Sequence, residues 1–388
     1  MPALTISHVH DVRQARRGRR RADVAVYAPF AGPLYEPEPG PVAGAEVQSG
    51  QLARALVEQG LRVVHVVQGA NLVAERDGVD VLPLPAGYDA GGLVRRRTVL
   101  QALREADARL YVQRSAGFET GWVALYAKAT GRRFVFSSSS TGDFVRDRRV
   151  AELSGASLDE WPTRVQYLFG LHAAHAVVVQ TDEQRFLARS ERGVEARVIR
   201  SFCEPAPAQA QPRDAFLWLG GLVGSKDPVS YVELARRVPE ARFLMVATDR
   251  GETWAKLAHD VRARAEATPN LDVLSALDRE VVLALYYRAV AVVSTSWFEG
   301  FPNTFLESWA RGAPVLSLRV DPDSVIEQHQ LGAACHGSLD ELAAAARRLW
   351  GQRESIDPAP FRDYVARVHD PAVVGRQWAS LVQELLER

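Results

Sequence analysis

The sequence predicts a doubly wound α/β protein made of two successive domains, and three observations carry that prediction. Short β-branched, apolar runs alternate with amphipathic helical stretches along most of the chain, which is the pattern of a mostly parallel sheet covered on both faces. A proline-rich segment, "EPAPAQAQPRD" (204–214), interrupts the alternation once, and the alternation restarts beyond it. The chain has 388 residues, a length that usually divides into two cores.

Each element follows from local pattern. "DVAVYAP" (23–29) reads as a buried parallel strand. After a Gly/Pro-rich loop, "AEVQSGQLARALVEQG" (45–60) sets Leu52, Leu56 and Val57 on one helical face and ends at Gly60, a residue suited to a left-handed stop. Strands are then predicted at 61–68, 109–114, 133–140 and 176–181, with Asp182 as the N-cap of the following helix. Beyond the linker, strands are predicted at 215–221, 241–248, 291–296 and 314–320. The final stretch, "GRQWASLVQELLER", places Trp378, Leu381, Val382, Leu385 and Leu386 on one stripe that needs a partner surface. The resulting division is a basic tail (1–22), a first Rossmann-like domain (23–203), a linker (204–214), a second Rossmann-like domain (215–370) and a terminal helix (371–388).

Composition narrows the function. Lys plus Arg and Asp plus Glu both number 47, so the formal net charge is zero, which argues against a general nucleic-acid binder. The two cysteines, Cys203 and Cys335, lie in no metal-ligand spacing and suit a reducing compartment. The N-terminus lacks the apolar core of a signal peptide, and no apolar run approaches the roughly 20 residues that span a bilayer. A cytoplasmic location is expected. The basic run "RQARRGRRR" (13–21) reads first as a solvated tail and alternatively as a contact with anionic lipid at the inner membrane face.

Ligands in open α/β sheets bind beyond the carboxyl ends of the strands, so loops directly after strands carry the candidate chemistry. "EGFPNTFLESWARG" (299–312) is such a loop and helix start. Gly300 and Pro302 break the chain, Asn303 and Thr304 suit a first helical turn, and free amides at such a start attract phosphate. Glu299 and Glu307 flank this turn. Carboxylates would repel phosphate, but they can accept hydrogen bonds from sugar hydroxyls. The competing reading for Glu307 is a capping box, Thr304 to Glu307, that merely closes the helix start. "LGGLVGSKDP" (219–228) also follows a strand; Gly220, Gly221 and Gly224 permit close approach and Lys226 supplies a point charge suited to diphosphate. Gly44 opens a third strand–loop–helix turn in the first domain. "DPD" (321–323) reads as a helix start capped by Asp321, and His172 and His175 as satisfied histidines; no metal site is expected.

Together these segments resemble the GT-B glycosyltransferases, most of all the retaining family 4. "SWFEGFPNTFLESWARGAPVLSLRVDPDSVI" carries the paired-glutamate motif, "AGAEVQSGQLARALVEQG" resembles the N-terminal glycine loop and helix, and "LWLGGLVGSKDP" resembles the donor-phosphate loop. The resemblance implies two Rossmann-like domains facing across a cleft, with the terminal helix crossing back to the first. It implies a nucleotide-sugar co-substrate and no metal or other cofactor. Glu307 would bind the ribose and Glu299 the transferred sugar. The amides around Gly300, Phe301, Asn303 and Thr304, with Gly220 and Gly221, would hold sugar or diphosphate. Lys226 would neutralise the leaving group, and Gly44 would approach the phosphate from the first domain. The acceptor would be a glycan, a lipid-linked sugar or a small molecule. Its contacts are expected, from location alone, among Tyr35, Glu36, Arg114, Phe118, Glu119, Ser139 and Asp143.

Three departures from the family pattern bear on activity. Gly221 stands where the family has arginine, Ala43 replaces the first loop glycine, and Ser138, Ser139, Ser140, Thr141 and Asp143 stand where many members carry a histidine. Either another arginine substitutes at the phosphate, or the enzyme is slow, or the protein is not a transferase; the alternative to a transferase is a non-catalytic nucleotide-sugar binder or assembly partner. A dehydrogenase is the distant third, because no dinucleotide fingerprint is present.

Overall fold

The computed structural model describes residues 21–38, 42–145, 153 and 161–388. The basic stretch 13–21 therefore lies, apart from Arg21, outside the described residues. The chain forms two compact units.

The first unit holds β1 (Ala22–Tyr27), α1 (Gly44–Glu58), β2 (Val63–Val67), β3 (Glu75–Arg76), β4 (Val79–Pro83), α2 (Gly92–Ala106), β5 (Ala108–Arg114), α3 (Thr120–Ala129), β6 (Arg133–Ser137), α4 (Trp161–Ala173), β7 (Ala176–Val179), α5 (Asp182–Arg192) and β8 (Ala196–Val198). Its sheet runs β3-β4-β2-β1-β5-β6-β7-β8, parallel throughout except for the β3–β4 pair. Parallel strands need helical crossovers on both faces, so their residues are buried on both sides; β2 is buried at every position.

His65 sits within β2, fully buried, with its Nδ1 2.7 Å from the Tyr35 hydroxyl. Burial lowers its pKa from the usual 6.5 to about 3. The unfolded chain then binds a proton between pH 6.5 and 3 that the native state refuses, so this histidine makes stability fall as pH falls through that window. The expected slope is up to about 1.4 kcal/mol per pH unit. Urea titrations at pH 7, 6, 5 and 4 should show wild type losing more stability than His65→Gln. Parallel losses would assign the pH dependence to carboxylates instead.

Asp182 does not cap α5. The Thr181 hydroxyl does, accepting the Gln184 N–H at 3.0 Å, and Asp182 falls in the first turn, where its charge suits the helix dipole. One residue of β-region backbone decides the cap, and it is taken up at Thr181.

The second unit holds β9 (Ala215–Gly221), α6 (Pro228–Arg237), β10 (Phe243–Thr248), α7 (Ala255–Glu266), β11 (Leu271–Leu274), α8 (Arg279–Arg288), β12 (Ala289–Ser294), α9 (Asn303–Ala310), β13 (Val315–Ser317), α10 (Val325–Gln328), β14 (Gly332–Ala334), α11 (Leu339–Gly351) and α12 (Ala359–Val368). Its parallel sheet runs β11-β10-β9-β12-β13-β14. β9 is central, so the loops after β9, β10 and β12 emerge side by side at one sheet edge. Residues 140–145 also belong to this unit, which the domain division read from sequence had assigned to the first. The segment 204–214 contains no helix or strand, but it is tied to the second unit. Pro207 O accepts from the Tyr287 hydroxyl at 2.9 Å, and Arg213 donates to the carbonyls of Ala289 and Gly312 at 2.7 and 2.6 Å.

The last helix, α13 (Pro371–Glu387), returns to the first unit. Trp378, Leu381, Val382 and Leu385 join Leu52, Ala55 and Leu56 of α1 in one core. A Cβ at Gly375 would come 3.1 Å from the Ala55 Cβ, so the glycine permits this close helix approach. Arg197 and Glu384 clamp its end, with Nη2 2.8 Å from Oε1. Among the described residues no helix is long and apolar enough to cross a membrane.

Candidate active site

The site is built at the carboxyl ends of β9 and β12. Ser294 ends β12, and Thr295 and Ser296 continue it; all three are buried. The Thr295 hydroxyl accepts from Trp218 Nε1 at 3.1 Å and donates to the Lys226 carbonyl at 2.7 Å. Trp297 N–H donates to the Ser225 carbonyl at 2.8 Å. These bonds stitch the loop after β12 to the loop after β9, because the two strands are direct sheet neighbours.

The stitching brings Lys226 onto Glu299. Lys226 Nζ donates to Glu299 Oε1, and the Ser296 hydroxyl donates to the same oxygen at 2.7 Å. The side chains are 33% and 17% exposed, so the pair is screened from most solvent yet reachable by a ligand. The Glu299 carbonyl accepts from both the N–H and the hydroxyl of Thr141, fixing the backbone that presents the carboxylate. Two residues predicted from separate segments thus form one charge pair.

The chain turns at Gly300 and Pro302 and enters α9 at Asn303; no side chain caps this helix. The capping-box reading of Glu307 is therefore overturned. Its Oε1 accepts from Arg279 Nη2 and its Oε2 from the Tyr286 hydroxyl, both at 2.7 Å. A helical Glu307 projects sideways toward α8 instead of back along the first turn. Burial disfavours the charge of Arg279, but the Glu307 carboxylate more than offsets this and raises its pKa. Phe301 points inward, 4% exposed, with its ring 4.9 Å from that of His369, so only its backbone can serve a ligand. Gly300 is buried, and Asn303 and Thr304 are half-buried at the helix start.

Arg319, just past β13, completes the edge. It lies 3.0 Å from Asp227 Oδ2, donates to the Thr295 carbonyl at 2.7 Å and stacks 3.7 Å from the Trp297 ring centroid. Arg279, Tyr286, Ser296 and Arg319 escaped the sequence reading. Arg319 and Ser296 stand at strand ends, a signal that was present. Arg279 and Tyr286 lie on α8, whose sequence shows nothing but a helix.

The glycines of the β9 loop are closely packed. A Cβ at Gly220 would meet the Trp218 ring at 3.1 Å, one at Gly221 the Arg250 Cγ and Nε at 2.9 Å, and one at Gly224 the Trp254 ring at 3.0 Å.

The remaining predicted residues fall elsewhere. Asp143 is buried and closes a capping box with Ser140 in a short helical turn, holding the loop that carries Thr141. In the first unit, Gly44 opens α1 behind Ala43. Tyr35 is in the core, bonded to His65, which removes it from any surface. The Glu36 carbonyl accepts from Arg76 at 2.7 Å. Arg114 donates to the Ser137 hydroxyl at 3.2 Å, and Phe118 packs edge-on to Trp122. Glu119 accepts from the Tyr88 hydroxyl at 2.9 Å and lies 3.9 Å from Arg95. Ser139 is half-buried at the end of the β6 loop. Of the segments set aside in sequence, Asp321 accepts the N–H groups of Ile326 and Glu327 at 2.9 and 3.3 Å, and His175 Nδ1 accepts the Phe134 N–H at 3.1 Å.

Comparison with known proteins bears on the family and the fold. Residues 43–202 match the family model described as "Glycosyl transferase 4-like domain", and residues 216–352 match "Glycosyl transferases group 1". No curated protein matches the sequence significantly. Among solved structures, sucrose-phosphate synthase from Thermosynechococcus elongatus superposes with a TM-score of 0.75 at 16% identity, over 95% of this chain and 100% of that one. HepE from Anabaena, solved with UDP and glucose, gives 0.70 at 13% over 94% and 100%. The lipopolysaccharide glycosyltransferase WaaG gives 0.65 at 17% over 92% and 99%. At these identities the likeness is one of fold. With both halves of the chain matched to glycosyltransferase models, and the paired glutamates lying where the sheet edge opens, the chain belongs to the GT-B glycosyltransferases of the family 4 type.

Proposed function

We propose that the protein transfers a sugar from a nucleoside diphosphate sugar, without a metal ion and with retention of anomeric configuration. The observation that carries this reading is the Lys226–Glu299 pair beside the start of α9, with Glu307 on the same helix. That arrangement offers a cation and helix amides for a diphosphate and carboxylates for hydroxyls on either side of it. HepE, of the same fold, was solved with UDP and glucose.

In this reading Glu307, held by Arg279 and Tyr286, accepts from the ribose hydroxyls. Glu299 accepts from hydroxyls of the transferred sugar. Lys226 moves from Glu299 toward the diphosphate as negative charge develops on it. The bond from the anomeric carbon to the phosphate oxygen breaks while the acceptor oxygen bonds to that carbon from the same face. The acceptor proton passes to the departing phosphate oxygen, so no protein nucleophile is needed.

A second reading is favoured by Gly221, which supplies no cation where the family has arginine: a binder without turnover. Thermal-shift titration with uridine, adenosine and guanosine diphosphates, followed by assay of the corresponding sugar donors, separates the two. The proposal expects stabilisation by one base, since ligand affinity raises the melting temperature, followed by donor hydrolysis or transfer. Proton NMR of the product should show the donor's anomeric configuration; the inverted anomer would remove the retaining mechanism. Glu307→Gln should weaken binding of the ribonucleotide about 10- to 100-fold and abolish its advantage over the 2′,3′-dideoxy analogue. An undiminished advantage would remove Glu307 from the ribose.

A further inference from the structure

Arg250 lies two residues past β10, the immediate sheet neighbour of β9. Thr248 and Gly221 are register partners, and the Leu222 N–H donates to the Thr248 carbonyl at 2.9 Å, so the two loops leave the sheet bound together. The Arg250 side chain lies directly against Gly221. A Cβ built there would come 2.9 Å from both its Cγ and its Nε. Any side chain at 221 would therefore compete for the space that Arg250 fills.

Among the described residues, three other cations at this edge are engaged. Lys226 is on Glu299, Arg319 on Asp227 and Arg279 on Glu307. Asp249, the adjacent acid, is held by Arg262 at 2.9 Å. Arg250 is exposed, and among the described residues it forms neither a hydrogen bond nor an ion pair. Its loop is anchored on the far side by Trp254, whose ring packs on Gly224 of the β9 loop. An arginine held against a strand-end glycine, beside a lysine loop and with no carboxylate paired to it among the described residues, is suited to a bidentate phosphate contact.

We propose that Arg250 supplies the second positive charge at the donor's diphosphate, reaching from the β10 loop over Gly221 to act with Lys226. The proposal rests on the nucleotide-sugar reading above. It explains why the lack of a side chain at 221 need not abolish turnover: the guanidinium comes from the next strand, and the glycine is what admits it.

The test compares wild type, Arg250→Ala, Arg250→Lys and the swap Gly221→Arg/Arg250→Ala by calorimetric titration with uridine, adenosine and guanosine diphosphates and with the free nucleosides. Arg250→Ala should bind the preferred diphosphate about 10- to 100-fold more weakly, a loss expected for a charge-assisted bond, with nucleoside affinity unchanged. Arg250→Lys should fall between, and the swap should recover most of the loss. Because Arg250 is exposed, ligand-free melting temperatures of the single variants should match wild type. Diphosphate affinity in Arg250→Ala equal to wild type would overturn the proposal alone. Equal loss of nucleoside and diphosphate, or a swap as weak as Arg250→Ala, would also overturn it. A wild-type protein that binds no nucleoside diphosphate would instead sink the nucleotide-sugar reading, and this proposal with it.

Discussion

Glu299→Gln should lower the turnover of sugar transfer by about 100- to 1,000-fold while leaving nucleoside diphosphate affinity unchanged or tighter. The carboxylate accepts from Ser296 and Lys226. With a donor present, its hydrogen bonds are expected to pass to the sugar, where they would orient the anomeric carbon for attack. Glutamine keeps the shape, so the loop held by Thr141 should persist, but it loses the charge that engages Lys226. A lysine released in this way is more available to a diphosphate, which is why affinity is not expected to fall. Lys226→Ala makes the complementary prediction within the same experiment: diphosphate affinity and turnover should both fall. Steady-state assays beside calorimetric titrations separate these outcomes. Turnover in Glu299→Gln within threefold of wild type would remove Glu299 from the chemistry.

The largest effect on stability is expected for Trp309→Ala. Trp309 is fully buried on α9, the helix that carries Glu307. Its ring packs edge-on against Phe305 and Tyr364 at centroid distances of 5.7 and 5.4 Å, and its Nε1 donates to the Leu331 carbonyl at 3.0 Å. Truncation leaves a cavity and removes one of the two hydrogen bonds that the Leu331 carbonyl accepts, the other coming from the Val315 N–H. The expected cost is roughly 3–5 kcal/mol, which lowers the melting temperature of the second unit by on the order of 10 °C. Trp309→Phe retains most of the apolar contact and loses the hydrogen bond, so about 1–2 kcal/mol is expected. Differential scanning calorimetry with both variants tests this. A Trp309→Ala transition within about 2 °C of wild type would show that α9 is held in place by something other than this core.

Much of the fold was legible because it is written in local pattern. The runs at 23–29, 61–68 and 215–221 are apolar on both faces, and a strand with that pattern must be covered by helices. The terminal stripe from Trp378 to Leu385 required a partner, and α1 is that partner. Shorter edge strands escaped. β8, β11 and β14 have three or four residues with partly exposed patterns, too little period to separate from a loop.

At the site, residue types and their strand-end positions were readable, but partners were not. Thr304 to Glu307 satisfies a capping box letter by letter, yet Glu307 turns to Arg279 and Tyr286, 28 and 21 residues earlier. Tyr35 looked like a loop tyrosine and is instead bonded to a histidine buried in β2.

From its sequence, this protein's strand–loop–helix order, its glycine turns and its pair of acids could be read, because hydrophobic period and backbone preference act over a few residues. The pairing of Lys226 with Glu299, the hold of Arg279 on Glu307 and the placement of Arg250 over Gly221 came only from the folded sheet. Each depends on which strands lie side by side, and strand order is a long-range outcome of packing that no short stretch of sequence records.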